Sequence, residues 1–199
     1  MNKVLKDTRT MVVLGLMLAI TMILDLTPLG AIPMGTVVAT IAHVPTILVG
    51  IILGPVAGLI MGLALGLVSL FHALLRPASP FSLLFINPLI SVLPRMFIGV
   101  TAYYAYTGVK HLFGGSRTNP IAIGVGAAIG SLTNTILVLL MLTLIYGGRI
   151  VEMLSAAGIN VSAVKWAIGV ALSNGLIEAV IAVVIVVAIA SVYLRSNRN

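Results

Sequence analysis

This sequence predicts an all-α integral membrane protein, a bundle of six transmembrane helices. Three observations predict it: the composition, the length of the apolar runs, and the residues that separate them. Of 199 residues, 60% are hydrophobic and 8% are charged, and the mean hydropathy is +1.24. A soluble domain of this length needs more polar surface, whereas the outside of a membrane protein faces hydrocarbon.

The apolar runs are each close to the roughly twenty residues that cross a bilayer core. They cover 9–25, 36–53, 55–75, 86–107, 120–146 and 163–194. Turn-forming pairs such as Gly54-Pro55, Asn119-Pro120 and Gly147-Gly148 separate them. No shift in composition marks a domain boundary, so residues 1–199 are expected to form a single six-helix membrane domain.

The basic residues indicate how the helices cross the membrane. A net charge of +7 is common in nucleic-acid-binding proteins, but here the charges are scattered at the ends of the apolar runs, which predicts no nucleic-acid partner. With the N-terminus inside, seven basic residues are cytoplasmic: Lys3, Lys6, Arg9, Lys110, Arg117, Arg195 and Arg198. Three face outward: Arg76, Arg149 and Lys165. The bias predicts a multi-pass protein of the cell membrane with both termini cytoplasmic.

The first run follows basic residues as a signal peptide does, but no small-residue cleavage site follows, so a retained helix is expected. The three external connections, about 26–35, 76–85 and 147–162, are long enough to form a lid.

The sequence lacks the residues and motifs that are typical of enzymes. It has four acidic residues and no cysteine, and it lacks the G-x-S-x-G, Walker A and H-E-x-x-H patterns. We therefore expect no catalysis, no metal and no cofactor in this chain.

Small residues recur at four-residue spacing in two helices. The third run has Gly54, Gly58, Gly62 and Gly66 along one face, which predicts close helix packing inside the bundle. Gly15 and Ala19 form a single such pair in the first run. That pair arises readily by chance, and its functional interpretation is a docking face for a partner membrane subunit.

Polar residues within the apolar runs are the candidate substrate-binding residues, because a polar group in a bilayer needs a partner or a function. Asn87, Ser91 and Arg95 lie at i, i+4 and i+8, on one face of a continuous helix. Arg95 is then about 14 Å from the outer end of that helix.

Further candidates follow on the fifth and sixth runs, and all are expected to converge between helices: Asn134, Trp166, Asn174 and Glu178. Two interpretations remain open for the charges. Arg95 and Glu178 neutralise each other across the bundle, or the pair opens to admit an anionic ligand. His43 is either a further lining residue or a hydrogen-bonded packing residue.

Two segments resemble the substrate-binding S components of energy-coupling factor (ECF) vitamin transporters. They are Leu53-Gly54-Pro55-Val56-Ala57-Gly58 and the stretch from Pro80-Phe81-Ser82 through Phe85-Ile86-Asn87-Pro88-Leu89-Ile90-Ser91-Val92-Leu93-Pro94-Arg95. The resemblance covers nearly the whole chain. It implies a small vitamin bound near the outer side beneath a lid around Leu26–Gly35. It also implies a transmembrane T component and two ATPase subunits as partners, with ATP used by the ATPases. Docking in that family implicates Gly15 and Ala19, although alanine is usual where this chain has Gly15.

The Asn-Pro-Leu-Ile-Ser-Val-Leu-Pro-Arg stretch is most similar to pantothenate-type S components. Composition agrees, because flat-ring vitamins favour aromatic stacking partners and the chain has one tryptophan. Arginine and asparagine suit a flexible carboxylate with hydroxyl and amide groups. The expected function is therefore pantothenate capture for an ECF importer. The alternatives are another vitamin, such as folate or riboflavin, or a stand-alone secondary transporter.

Overall fold

The computed structural model describes residues 7–34, 37–75, 80–113 and 115–196, with the backbone alone for 31–34, 37–39 and 80. The helices are α1 (Thr8–Leu26), α2 (Val44–Leu53), α3 (Pro55–Leu75), α4 (Pro88–Ser91), α5 (Leu93–Leu112), α6 (Pro120–Ala156), α7 (Ala163–Val170) and α8 (Leu176–Ser196). Strands β1 (Ala31–Met34) and β2 (Val37–Thr40) form an antiparallel hairpin. Two 3₁₀ turns (Pro28–Gly30 and Pro80–Ile86) and one π turn (Ala171–Gly175) complete the described elements.

Four helical stretches in the described ranges are long and apolar enough to cross a membrane: Thr8–Leu26, Pro55–Leu75, Pro120–Ala156 and Ala163–Ser196. Helix α5 has twenty residues and is less apolar, with Arg95 near one end and Lys110 and His111 at the other. Helix α2 is apolar but has only ten residues, about 15 Å and half of the hydrocarbon thickness.

The predicted second helix, 36–53, is wrong over 37–43, because α2 begins at Val44; residue 36 lies outside the described residues. Residues Val37–Thr40 form strand β2, which pairs with β1 so that Ala31 lies opposite Thr40. Hydropathy does not distinguish a buried helix from a strand, and the β-branched residues Val37, Val38 and Thr40 favour the extended form. The third helix is confirmed at 55–75, and the turn before it uses Gly54 at φ 99°.

The predicted fourth helix, 86–107, is two helices. The four-residue α4 ends at Ser91, and α5 begins at Leu93. The reason is Pro94, which has no N–H to continue the ladder and occupies the first turn of α5 instead.

The fifth and sixth runs also differ from prediction. Helix α6 does not end at residue 146 but continues to Ala156, with a non-helical kink at Tyr146 (φ −123°, ψ 19°). The glycine pair that follows Tyr146 bends the helix without stopping it. The expected outer connection 147–162 is therefore largely helical. The sixth run is helical throughout but contains the π turn between α7 and α8.

Glycines of α3 set the position of α5, as predicted from their spacing. A Cβ at Gly58 would lie 2.9 Å from backbone atoms of Gly99, and one at Gly62 would overlap the carbonyl of Arg95. Gly66 approaches Val92 in the same way. Gly54 differs, because a Cβ there would meet nothing within 4 Å. This seam of α3 against α5 fixes the backbone that carries Arg95.

Candidate functional site

Two adjoining cavities lie at the end of the bundle where α1 and α3 end and α5 and α7 begin. The Asp25 cavity, of about 680 Å³, lies between α1, α3 and the base of the hairpin, and its lining includes Asp25, His43, Ser69 and His72. The Trp166 cavity, of about 310 Å³, lies between α5, α6 and α8, and its lining includes Phe81, Phe85, Trp166, Asn174 and Glu178. Both volumes fall in the range of small-molecule sites, about 300–1,000 Å³.

The two cavities share three residues: Thr40, Arg95 and Asn134. One comes from the hairpin, one from the first turn of α5 and one from the middle of α6. A cation, a hydroxyl and an amide therefore line the boundary of the two cavities. A ligand held there can reach either cavity.

Arg95 makes contacts that hold its side chain in place but do not pair its charge with a carboxylate. Its Nη1 donates a hydrogen bond of 2.5 Å to the carbonyl of Ile90, and its guanidinium lies 5.2 Å from the centre of the Phe85 ring. Within the described ranges it forms no ion pair with a carboxylate. The direct Arg95–Glu178 pair, one of the two interpretations left open, is not formed.

Asn134 and Asn174 are the two amides of the Trp166 cavity. Their Oδ1 atoms are buried and have no hydrogen-bond partner among the described residues. Asn174 lies in the π turn, an irregularity that occurs often at functional sites. Leaving a buried polar group unpaired costs about 1–3 kcal/mol, so these amides are complementary to a ligand with hydrogen-bonding groups of its own.

Glu178, 8% exposed, has a different partner from the one the sequence suggested. Its Oε1 accepts two hydrogen bonds from Thr40, one from the backbone N–H and one from Oγ1, each 2.9 Å long. The carboxylate thus joins α8 to the end of the hairpin while still lining the Trp166 cavity.

Trp166 forms part of the apolar wall of its cavity. Its ring stacks on Phe81, with centroids 5.5 Å apart and the planes 17° from parallel. Val138, Leu139 and Leu142 of α6 extend the same wall. The tryptophan face that contacts Phe81 is thereby occupied within the protein.

His43 is 3% exposed and contacts Ser131, with Nε2 and Oγ 3.0 Å apart, while it also lines the Asp25 cavity. Both interpretations left open for it, lining and packing, are therefore compatible with its position.

Asn87 and Ser91 are not brought to either cavity. Asn87 caps α4, accepting from the N–H of Leu89 (3.0 Å), and its Nδ2 donates to the Tyr146 hydroxyl (3.4 Å). The fully buried Ser91 donates to the carbonyl of Phe85. Val92 separates both residues from Arg95, since α4 ends at Ser91 and α5 begins at Leu93, and neither Asn87 nor Ser91 lines a cavity with Arg95.

Sequence reasoning missed several residues of the site. Asp25 ends the first predicted helix and was not among the candidates. It lies in the last turn of α1, where it accepts from Ser69 Oγ (3.2 Å) and faces His72 Nδ1 at 3.4 Å. No sequence pattern indicates the role of Thr40, because that role depends on a contact with a residue 138 positions away. Phe81 and Phe85 belong to the stretch that carries the resemblance, and this position could have indicated that they lie near the site.

The predicted docking pair lies on an open surface. Gly15 and Ala19 are both exposed, and a Cβ at Gly15 would meet nothing within 4 Å. Thr21 is the single buried residue of α1. The face with Gly15 and Ala19 is thus directed away from the bundle.

Comparison with known proteins gives two findings. The model of the family "ECF transporter, substrate-specific component" matches residues 9–190. The chain is also 31% identical over 192 residues to the "Pantothenate transporter PanT" of Leuconostoc mesenteroides, an alignment that covers 93% of this chain and 92% of that protein.

Proposed function

We propose that this chain, which belongs to the family of ECF transporter substrate-specific components, binds pantothenate at the boundary of the two cavities and delivers it for import. The family and the apolar helices make it a multi-pass membrane protein of a transporter. The similarity to a protein named as a pantothenate transporter supports the choice of vitamin.

The observation that carries the proposal is the state of Arg95. The guanidinium lines both cavities and has no carboxylate partner in the described part of the chain. An arginine in that state is complementary to a ligand carboxylate, which it binds through two parallel hydrogen bonds. Pantothenate has one carboxylate.

The remaining groups match the rest of that molecule. The unpaired Oδ1 atoms of Asn134 and Asn174 are complementary to its amide N–H and its hydroxyls, which can donate hydrogen bonds to them. Its branched alkyl segment suits the apolar wall of Trp166, Val138 and Leu142. The stack with Phe81 occupies one face of the Trp166 ring, which leaves less aromatic surface for a flat-ring vitamin.

The orientation follows from the basic residues. With seven of them inside and three outside, both termini are cytoplasmic and the cavities open to the exterior. The short α2 then completes a crossing together with the hairpin that precedes it, so the bundle has six membrane-crossing segments in one domain, with α5 as the fourth.

The partners we propose are a transmembrane T component and two ATPase subunits, which supply the ATP hydrolysis that this chain does not perform. The chain itself uses no cofactor. Gly15 and Ala19 form the docking face, because they are exposed on the helix that is least buried in the bundle.

A titration of the purified protein with pantothenate, folate and riboflavin tests the proposal. We expect saturable pantothenate binding and none of the other two. Arg95→Ala should weaken pantothenate binding about a hundredfold or more, since removing one partner of a buried charge pair costs about 2–5 kcal/mol. The matched control is Arg149→Ala, because Arg149 is exposed on α6.

Folded Arg95→Ala protein with unchanged affinity would contradict the assignment of the carboxylate site. An absence of pantothenate binding by the unmodified protein would contradict the choice of vitamin. An unfolded Arg95→Ala protein would make Arg95 structural, and the conservative Arg95→Lys variant would then decide its ligand role.

A further inference from the structure

The hairpin and α8 are joined by a single carboxylate oxygen. Thr40, the last residue of β2, directs both its N–H and its hydroxyl to Oε1 of Glu178, at 2.9 Å each. Both hydrogen bonds converge on the same oxygen, and Glu178 is only 8% exposed. The contact is therefore well placed to hold the hairpin.

The other side of the hairpin base rests on α1. The N–H of Ile41 donates to the carbonyl of Gly30 (2.9 Å), which closes the base. Gly30 packs so tightly on the backbone of Leu24 that no side chain fits there. The hairpin base thus extends from α1 to α8, and Gly30 and Thr40 both line the Asp25 cavity beneath it.

We infer that Glu178 is a positioning residue, one that acts on the ligand through the hairpin: its carboxylate fixes Thr40 and so sets how fast a bound ligand escapes. The inference rests on the proposed function only in that a ligand occupies the cavities. It does not depend on which vitamin that is.

The geometry favours this role over direct binding of the vitamin. One carboxylate oxygen already accepts two hydrogen bonds from Thr40. The proposed ligand is an anion, and a second carboxylate close to it is unfavourable. Glu178 also makes no ion pair with Arg95 in the described part of the chain, so its described hydrogen bonds all go to the hairpin.

The test compares Glu178→Ala, Glu178→Gln and Thr40→Val in two measurements. The first is hydrogen exchange of the Thr40 amide and the rest of β2 in ligand-free protein, because that amide donates to Glu178 directly. The second is the dissociation rate of labelled pantothenate in a chase. The matched control is Glu152→Ala, which removes an exposed carboxylate from α6.

For Glu178→Ala we expect hairpin exchange and ligand dissociation each about tenfold faster. Glu178→Gln should accelerate hairpin exchange clearly less than Glu178→Ala does, because its amide oxygen still accepts both hydrogen bonds. Thr40→Val should lie between, since it keeps the N–H bond and loses the hydroxyl bond. Glu152→Ala should change neither rate.

Unchanged hairpin exchange in Glu178→Ala would overturn the inference, as would a Gln variant as fast as the Ala variant. If Glu178→Ala does not fold, Thr40→Val decides, and unchanged exchange there would overturn it. The exchange measurement needs no ligand, so it still reports on the contact between Thr40 and Glu178 if pantothenate does not bind.

Discussion

Helices α1 and α3 both carry small residues at four-residue spacing, in opposite surroundings. On α3, Gly58 and Gly62 each face the backbone of α5 so closely that a Cβ would meet it. On α1, Gly15 faces open space. Small residues in a membrane helix allow another helix to approach closely. For α3 the approaching helix is α5 of the same chain. For α1 nothing in the described part of the chain packs against Gly15, so a partner protein must supply the helix if this face is a docking surface.

Gly62→Leu should have the largest effect. Its side chain would enter the carbonyl of Arg95, and neither backbone can withdraw without opening the α3–α5 seam. Overpacking by a few methylenes costs about 1–3 kcal/mol, so this change should exceed about 3 kcal/mol. We expect little folded protein, measured as the monodisperse fraction in size-exclusion chromatography and as Tm.

The matched control is Gly108→Leu on α5, where a Cβ would meet nothing within 4 Å. That variant should behave as the unmodified protein. A normally folded Gly62→Leu protein would show that the seam is not a rigid support of the site.

Gly15→Leu should leave folding and vitamin affinity unchanged and reduce uptake at least tenfold. The physical reason is steric, because leucine occupies the surface that a partner helix needs while touching nothing in the bundle. The measurements are ligand titration of the purified protein and uptake by cells that express the complete transporter. Leu16→Ala, an exposed neighbour on the same helix, controls for a general change of the lipid-facing surface, and uptake retained in Gly15→Leu would remove the docking assignment.

The same contrast explains what the sequence could predict. The bounds of α1 and α3 follow closely from hydropathy and turn residues, because both helices are apolar and long enough to cross a membrane. Arg95, Asn134, Asn174, Glu178 and Trp166 were predicted because polar or aromatic groups stand out in apolar runs, and they do meet around one cavity.

What the sequence could not predict depends on contacts between distant residues or on irregular backbone. Strand β2 is as apolar as a helix, the kink at Tyr146 lies where an end was expected, and the break at Val92 separates Ser91 from Arg95. Irregular backbone is tolerated in a membrane protein where it lines a cavity. The errors therefore fall at the cavity end of the bundle, whereas the helix-packing prediction is confirmed at Gly58, Gly62 and Gly66 of α3.

The smallest predicted effect is a gain in stability at a glycine of intermediate surroundings. A Cβ at Gly124 of α6 would lie 3.6 Å from side-chain carbons of Val183 and Val187 on α8, an ordinary van der Waals contact. Gly124→Ala adds that contact and removes the conformational freedom of glycine, worth about 0.5–1 kcal/mol in a helix. We expect Tm to rise by about 1–4 °C, with ligand affinity unchanged. Gly58→Ala should instead lower Tm, since its Cβ would press on the backbone of Gly99. If both variants shift Tm in the same direction, these effects are decided by helix propensity and not by the space beside each glycine.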